Sequence, residues 1–306
     1  MCGIVAYSGP KETLPLLVNG LSRLEYRGYD SSGVAVVSSE KLFIEKKSGK
    51  LSQLKDALEG NTTDGNVGIG HTRWATHGVP NDENAHPHQN EDNKFALVHN
   101  GIIENYVQMK EDLLNDGIEF TSETDTEVVA QQLAKEWDGD LLSTTIGVAK
   151  NLKGTYALVV VTEHEPDTIV AGRMMSPLVM GIGDGEMFLA SDAAAIIEHT
   201  NKMVFLENGD FVKIQGGNYK IWNLNQEEIE REVEVVDWKI DEAEKGGYEH
   251  YMYKEIIEQP EAIRNTLTDR VDGDFFTTKF DIDRDKALKY NKIWIIACGT
   301  AYHAGL

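Results

Sequence analysis

Cys2, the second residue of the opening Met1-Cys2-Gly3-Ile4-Val5, restricts the chemistry of this chain more than any other side chain. Methionine ahead of a small residue is commonly trimmed, and trimming here leaves one residue with both a thiol and a free α-amine. An α-amine titrates near ~7.7–8.0 and a thiol near ~8.5, so each is only partly in its reactive form at neutral pH. A base beside the sulfur closes that gap, and a terminal amine is one such base. A cysteine in this place also reads as a small buried hydrophobe, so the polar motifs elsewhere decide between the two.

Three such motifs follow predicted strands or open a predicted helix. His71-Thr72-Arg73-Trp74-Ala75-Thr76-His77-Gly78 gathers a guanidinium, an indole, hydroxyls and two imidazoles; Arg73 suits bidentate capture of a carboxylate. His99-Asn100-Gly101 offers a side-chain amide beside a glycine N–H, the makings of a two-donor oxyanion site. In Ser122-Glu123-Thr124-Asp125-Thr126-Glu127, Thr124 or Asp125 reads as an N-cap with Glu127 completing a capping box. An aspartate at a helix start also receives an ammonium group. A holder for a carboxylate, one for an ammonium, two donors for an amide oxygen and a thiol for its carbon together describe free glutamine or asparagine.

The elements that must position these groups are legible from periodicity. Cys2–Tyr7, Val34–Val37, Leu42–Glu45, Val67–Thr72 and Lys94–His99 read as strands. Leu14, Leu17, Val18, Leu21 and Leu24 recur at helical spacing, and further helices are expected over Ile103–Asp116, Asp125–Trp137 and Leu141–Leu152. Short strands then dominate from Tyr156 to Val236, interrupted by a helix at Ala193–His199; Gly181–Gly185 reads as a hairpin turn. Strands grouped around helices without strict βαβ alternation indicate an α+β class. Past a charged break ending in Gly246-Gly247, a helix over Tyr251–Thr268 interrupted near Pro260 and an apolar strand over Lys292–Ala297 are expected. That strand runs into Cys298-Gly299-Thr300, a turn suited to presenting N–H groups to an anion.

Bulk properties exclude several classes. The 306 residues carry a formal net charge of −22, with 41% hydrophobic and 26% charged residues. So acidic a surface repels phosphate backbones and anionic lipid, which argues against nucleic acid and membrane partners. Two cysteines exclude a disulfide framework and point to a reducing, cytoplasmic setting.

Cys2-Gly3-Ile4-Val5, Glu25-Tyr26-Arg27-Gly28-Tyr29-Asp30-Ser31, the Thr72–Gly78 and His99–Gly101 loops, Glu123–Glu127, and the Tyr251–Pro260 and Ala297–Thr300 stretches resemble the glucosamine-6-phosphate synthase family. The resemblance implies a glutaminase domain over residues 1–240, a linker over 241–250 and an incomplete sugar isomerase domain over 251–306. The implied fold is the N-terminal-nucleophile hydrolase sandwich, four layers αββα with antiparallel sheets, followed by the first elements of an α/β sugar isomerase domain. It further implies that Cys2 is the nucleophile, that Asn100 and Gly101 hold the oxyanion, and that Arg73, Thr76, His77 and Asp125 hold glutamine. Trp74 belongs to a loop gating ammonia, while Cys298, Gly299 and Thr300 begin a sugar-phosphate site, where Ala301 replaces a frequent serine. Glutamine and fructose 6-phosphate are the implied substrates, a homodimer the implied assembly, with no metal or redox cofactor. Because the sugar domain stops short, glutamine hydrolysis is the most this chain is expected to perform.

Two other readings compete: a different amidotransferase such as amidophosphoribosyltransferase, against which the Tyr251–Pro260 and Cys298–Ala301 segments argue, and a non-catalytic module that senses glutamine or a sugar phosphate. His86-Pro87-His88 invites a metal reading, but no second cysteine or spaced carboxylate completes a ligand set.

Overall fold

A computed structural model describes residues 2–38, 41–75, 77–236, 248–267, 271–272, 275–276, 288–292, 294–297 and 299–306. The chain divides into two compact units, Met1–Ala243 and Glu244–Leu306. Most of the 241–250 segment expected as a linker lies outside the described residues.

The first unit is built on two antiparallel sheets. One has eight strands in the spatial order β15 (Glu234–Val235), β11 (Lys202–Phe205), β9 (Val179–Ile182), β10 (Met187–Ala190), β1 (Gly3–Ser8), β4 (Val67–Arg73), β2 (Ser31–Val37) and β3 (Leu42–Ser48). The other has seven: β14 (Glu228–Ile229), β13 (Asn218–Trp222), β12 (Phe211–Gln215), β8 (Thr168–Met174), β7 (Gly154–Thr162), β6 (Phe95–Ile103) and β5 (His88–Gln89). Alternation along each strand assigns its side chains to two cores. Ile4, Ala6, Ala35 and Ile69 meet Ala96, Val98, Ala157 and Val159 between the sheets. The other face of β1, Val5 and Tyr7, packs under α1 (Thr13–Leu24) and α2 (Leu51–Leu58) through Leu17, Leu21 and Leu54. Phe95, Leu97, Leu158 and Val160 likewise pack under α4 (Asp125–Lys135) and α5 (Leu141–Ala149) through Val129, Leu133 and Ile146. With both faces covered, strands read as unbroken apolar runs. The layers are αββα.

Register carries the polar motifs toward one another. β1 pairs with β4 so that Gly3 faces Thr72, which sets Cys2 beside the end of β4. β6 pairs with β7 from Phe95↔Thr162 to Ile103↔Gly154, so the strand runs four residues past its expected end at His99 and Asn100 and Gly101 lie inside the ladder. The following helix, α3 (Tyr106–Asn115), therefore starts at Tyr106 and not at Ile103.

Other expectations need correction. Ala193–His199 holds only the short 3-10 turn Ala193–Ala195, capped by the Asp192 side chain, because the chain must reverse within a few residues to enter β11. β11 and β13 were not apparent in the sequence. In the second unit the helix Tyr251–Leu267 runs through Pro260 without interruption. No strand forms over the described residues of Lys292–Ala297, and Ile296 is 97% exposed; an apolar segment without a neighbouring strand has nothing to complete its ladder.

Candidate active site

The start of β1, the end of β4, the second half of β6 and the first turn of α4 surround a cavity of about 460 Å³. Cys2, Arg73, Trp74, His77, Asn100, Gly101 and Asp125 all line it.

Cys2 is half-buried, and its Sγ accepts a hydrogen bond from the Trp74 amide at 3.1 Å. Burial raises the thiol above its ordinary value, outweighing the downward pull of that N–H. The thiol form therefore dominates at neutral pH, and a base must take its proton before the sulfur can attack. Asn100 Nδ2 donates to the Cys2 carbonyl at 3.3 Å. Its neighbour Gly101 has φ +132°, and a Cβ there would sit 2.0 Å from the Thr155 carbonyl oxygen. Only glycine follows this path.

Arg73 closes β4 and is buried. Its Nη2 donates to the carbonyls of His77 and Gly78, pinning the turn between them. Its Nη1 is buried without a hydrogen-bond partner and lies 3.6 Å from Asp30 Oδ1. Asp30 in turn accepts from the Ala75 amide. Trp74 is 56% exposed, and Gly28 leaves room for its ring: a Cβ on Gly28 would lie 2.2 Å from Cζ3.

Asp125 is the buried first residue of α4, where the helix dipole favours an anion. Its Oδ2 accepts from the Ile103 amide at 2.8 Å. The cap itself is Thr124, whose hydroxyl accepts from the Glu127 amide. The Glu127 carboxylate reaches back to the amides of Ser122 and Thr121, two and three residues before the cap, because the Thr124 amide is taken by Ser122 Oγ. Capping thus occupies Thr124 and Glu127 and leaves Asp125 facing the cavity.

His77 meets Tyr106 edge-on at 5.2 Å. Thr76 and Cys298 lie outside the described residues. Gly299 and Thr300 open the helix Gly299–Gly305 of the second unit.

A layer of buried histidines, of which His86 and His99 line the pocket, went unread as such in the sequence. The His71 and His86 rings stack at 4.2 Å, and His86 meets His88 edge-on at 4.6 Å. His86 and His99 share the Thr126 hydroxyl, at 3.1 and 2.9 Å, while His88 bonds Thr124 at 3.0 Å. Burial holds all four below the ordinary histidine value, His71 at about 3. Lys46 ties down the loop that carries His86 by donating to the carbonyls of Glu83, Ala85 and Pro87. The crowding of histidines between positions 71 and 99 was the available signal. Thr126, hidden in a helix-start motif, and Ser176 and Pro177, which also line the pocket, gave none.

Residues 39–220 match the family described as the glutamine amidotransferase domain. Glutamine--fructose-6-phosphate aminotransferase [isomerizing] of Aquifex aeolicus is 48% identical over 305 residues, covering 100% of this chain and 50% of that protein. Its namesake in Thermus thermophilus is 48% identical over 306 residues, with 100% and 50% coverage. The chain thus spans about half the length of the curated relatives it matches. Among solved structures, glutamine phosphoribosylpyrophosphate amidotransferase from B. subtilis superposes with a TM-score of 0.64 at 27% identity, covering 73% of this chain and 49% of that one. The expected N-terminal-nucleophile sandwich is the fold found. The chain belongs to the glutamine amidotransferase family.

Proposed function

We propose that this amidotransferase hydrolyses the side-chain amide of free glutamine through a thioester on Cys2. The reading requires removal of Met1, so that the Cys2 α-amine takes the thiol proton. The sulfur attacks the amide carbon, and negative charge gathers on an oxygen facing Asn100 Nδ2 and the Gly101 N–H. The amine passes its proton to the leaving nitrogen, ammonia departs, and a γ-glutamyl thioester remains. Water, activated by the same amine, adds to the thioester carbonyl; glutamate leaves as the sulfur recovers a proton. One donor aimed at such an oxyanion contributes about 10²–10³ in kcat.

Arg73 holds the α-carboxylate through Nη1 and Asp125 the α-ammonium, with Thr76 and His77 completing the amino-acid pocket and Trp74 gating ammonia. A single observation carries this reading. One cavity contains a half-buried thiol, a buried guanidinium whose Nη1 makes no hydrogen bond, and a buried carboxylate.

In the whole protein, residues 1–240 act as the glutaminase domain and residues 251–306 begin a sugar isomerase domain. There Cys298, Gly299 and Thr300 approach the sugar phosphate of fructose 6-phosphate, which the ammonia converts to glucosamine 6-phosphate. The setting is cytoplasmic and the assembly a homodimer that binds no nucleic acid. Among the described residues no helix is long and apolar enough to cross a membrane.

The test is glutamate release from glutamine by the purified chain beside a Cys2→Ala variant of unchanged circular dichroism. Release is expected from the parent only. Equal release from both, or an intact Met1 in the mass spectrum of active protein, overturns the proposal.

A further inference from the structure

The orientation of the Asn100 amide is decided twice over. Its Nδ2 lies 3.3 Å from the Cys2 carbonyl, which can only accept. Its Oδ1 lies 2.9 Å from Nε2 of His71. That same Nε2 is 3.1 Å from the His99 carbonyl, another pure acceptor, so Nε2 must carry the hydrogen and the ring must be the Nε2–H tautomer. His71 Nδ1 is buried with no hydrogen-bond partner, as suits an unprotonated nitrogen.

Local packing holds this ring in place. His71 belongs to β4 opposite Gly33 of β2. A Cβ on Gly33 would come 2.3 Å from the His86 carbonyl oxygen, so glycine there lets the His86 loop press onto the sheet. The His86 ring then stacks on His71 at 4.2 Å. His71 itself has no exposed surface and lines no part of the cavity.

We propose that His71 is a positioning residue for amide hydrolysis, its Nε2–H locking the Asn100 side chain with nitrogen, and not oxygen, toward the reacting carbonyl. This rests on Asn100 being an oxyanion donor. An unlocked amide that rotates by half a turn presents a lone pair where negative charge develops, which converts a stabilising contact into a repulsive one. Burial supports the role by keeping the ring neutral, since a charged ring would also carry hydrogen on Nδ1, which has no acceptor.

Glutamine and methionine side chains have nearly the same length, and only glutamine has a donor where histidine carries Nε2. His71→Met is therefore expected to lower kcat for glutamine hydrolysis on the order of 10²-fold with KM nearly unchanged. His71→Gln is expected to stay within about threefold of the parent. Alkylation of Cys2 by iodoacetamide, which needs the thiolate but no oxyanion site, should proceed at the same rate in all three. Equal kcat in the Met and Gln variants, or alkylation falling in step with kcat, overturns the assignment. Nitrogen-15 NMR of histidine-labelled parent protein tests it without a variant. His71 should appear as the Nε2–H tautomer throughout pH 6–8, and an Nδ1–H tautomer refutes the lock. Absence of Cys2-dependent release in the parent would instead overturn the proposed function, leaving the tautomer measurement to judge His71 alone.

Discussion

Acidification from pH 7 to pH 5 should destabilise the first unit well before its carboxylates are protonated. His71, His86 and His88 are buried, and burial depresses all three, His71 to about 3 against an ordinary 6.5. The sign follows from which state binds protons. Below pH ~6.5 the unfolded chain takes up a proton at each of these histidines while the folded chain does not, so stability is complete above that pH and falls as pH falls. His71 then costs about 1.4 kcal/mol per pH unit. Between pH 7 and pH 5 His71 alone removes about 2 kcal/mol against a typical total of ~5–15 kcal/mol, and His86 and His88 act in the same direction. Most carboxylates titrate near ~4, so the large negative charge changes little in this window. Urea unfolding followed by circular dichroism at pH 7, 6 and 5 measures the loss, and His88→Gln should flatten the profile. Stability that is constant or rises between pH 7 and pH 5 would show that the histidines charge inside the fold, and the reasoning fails.

Asp125→Asn keeps an acceptor for the Ile103 amide but removes the charge, so the KM for glutamine should rise about tenfold or more with kcat less affected; an unchanged KM removes Asp125 from the ammonium site. Gly101→Ala forces a Cβ to within 2.0 Å of the Thr155 carbonyl on a left-handed backbone. It should lose about 1–3 kcal/mol of stability together with glutamate release, and parent-like melting would refute the strain.

Single residues at the site were legible because their chemistry is: a thiol beside an amine, a guanidinium, an amide next to glycine, an aspartate opening a helix. Their convergence was not, since it depends on Gly3 pairing with Thr72 and on one sheet stacking over the other. Asn100-Gly101 reads locally as a loop. It is strand because β7 supplies partners as far as Gly154. Three consecutive alanines favour helix over Ala193–Ala195, yet the return to β11 allows only a 3-10 turn. Histidines 71, 86, 88 and 99 crowd one stretch of sequence, but their spacing does not announce rings stacked at 4.2 Å or a shared threonine hydroxyl.

The neutrality of that histidine layer bears on substrate choice. Arg73 and Asp125 give the pocket one fixed cation and one fixed anion, the pattern a zwitterionic amino acid requires. Charged imidazoles behind Asn100 and Asp125 would cancel the attraction of Asp125 for an ammonium group and favour a second carboxylate. They would thereby strengthen binding of the product glutamate over glutamine. Burial of His71, His86 and His99 prevents this by making protonation costly, so under the proposed function the same packing that makes the fold acid-sensitive would keep the pocket selective for the amide. Glutamate inhibition should therefore grow as pH is lowered toward the onset of unfolding only in variants that expose this layer to water. In the parent, the inhibition constant should stay flat over pH 6–8; a steep fall toward pH 6 would mean that the layer already charges in the folded protein.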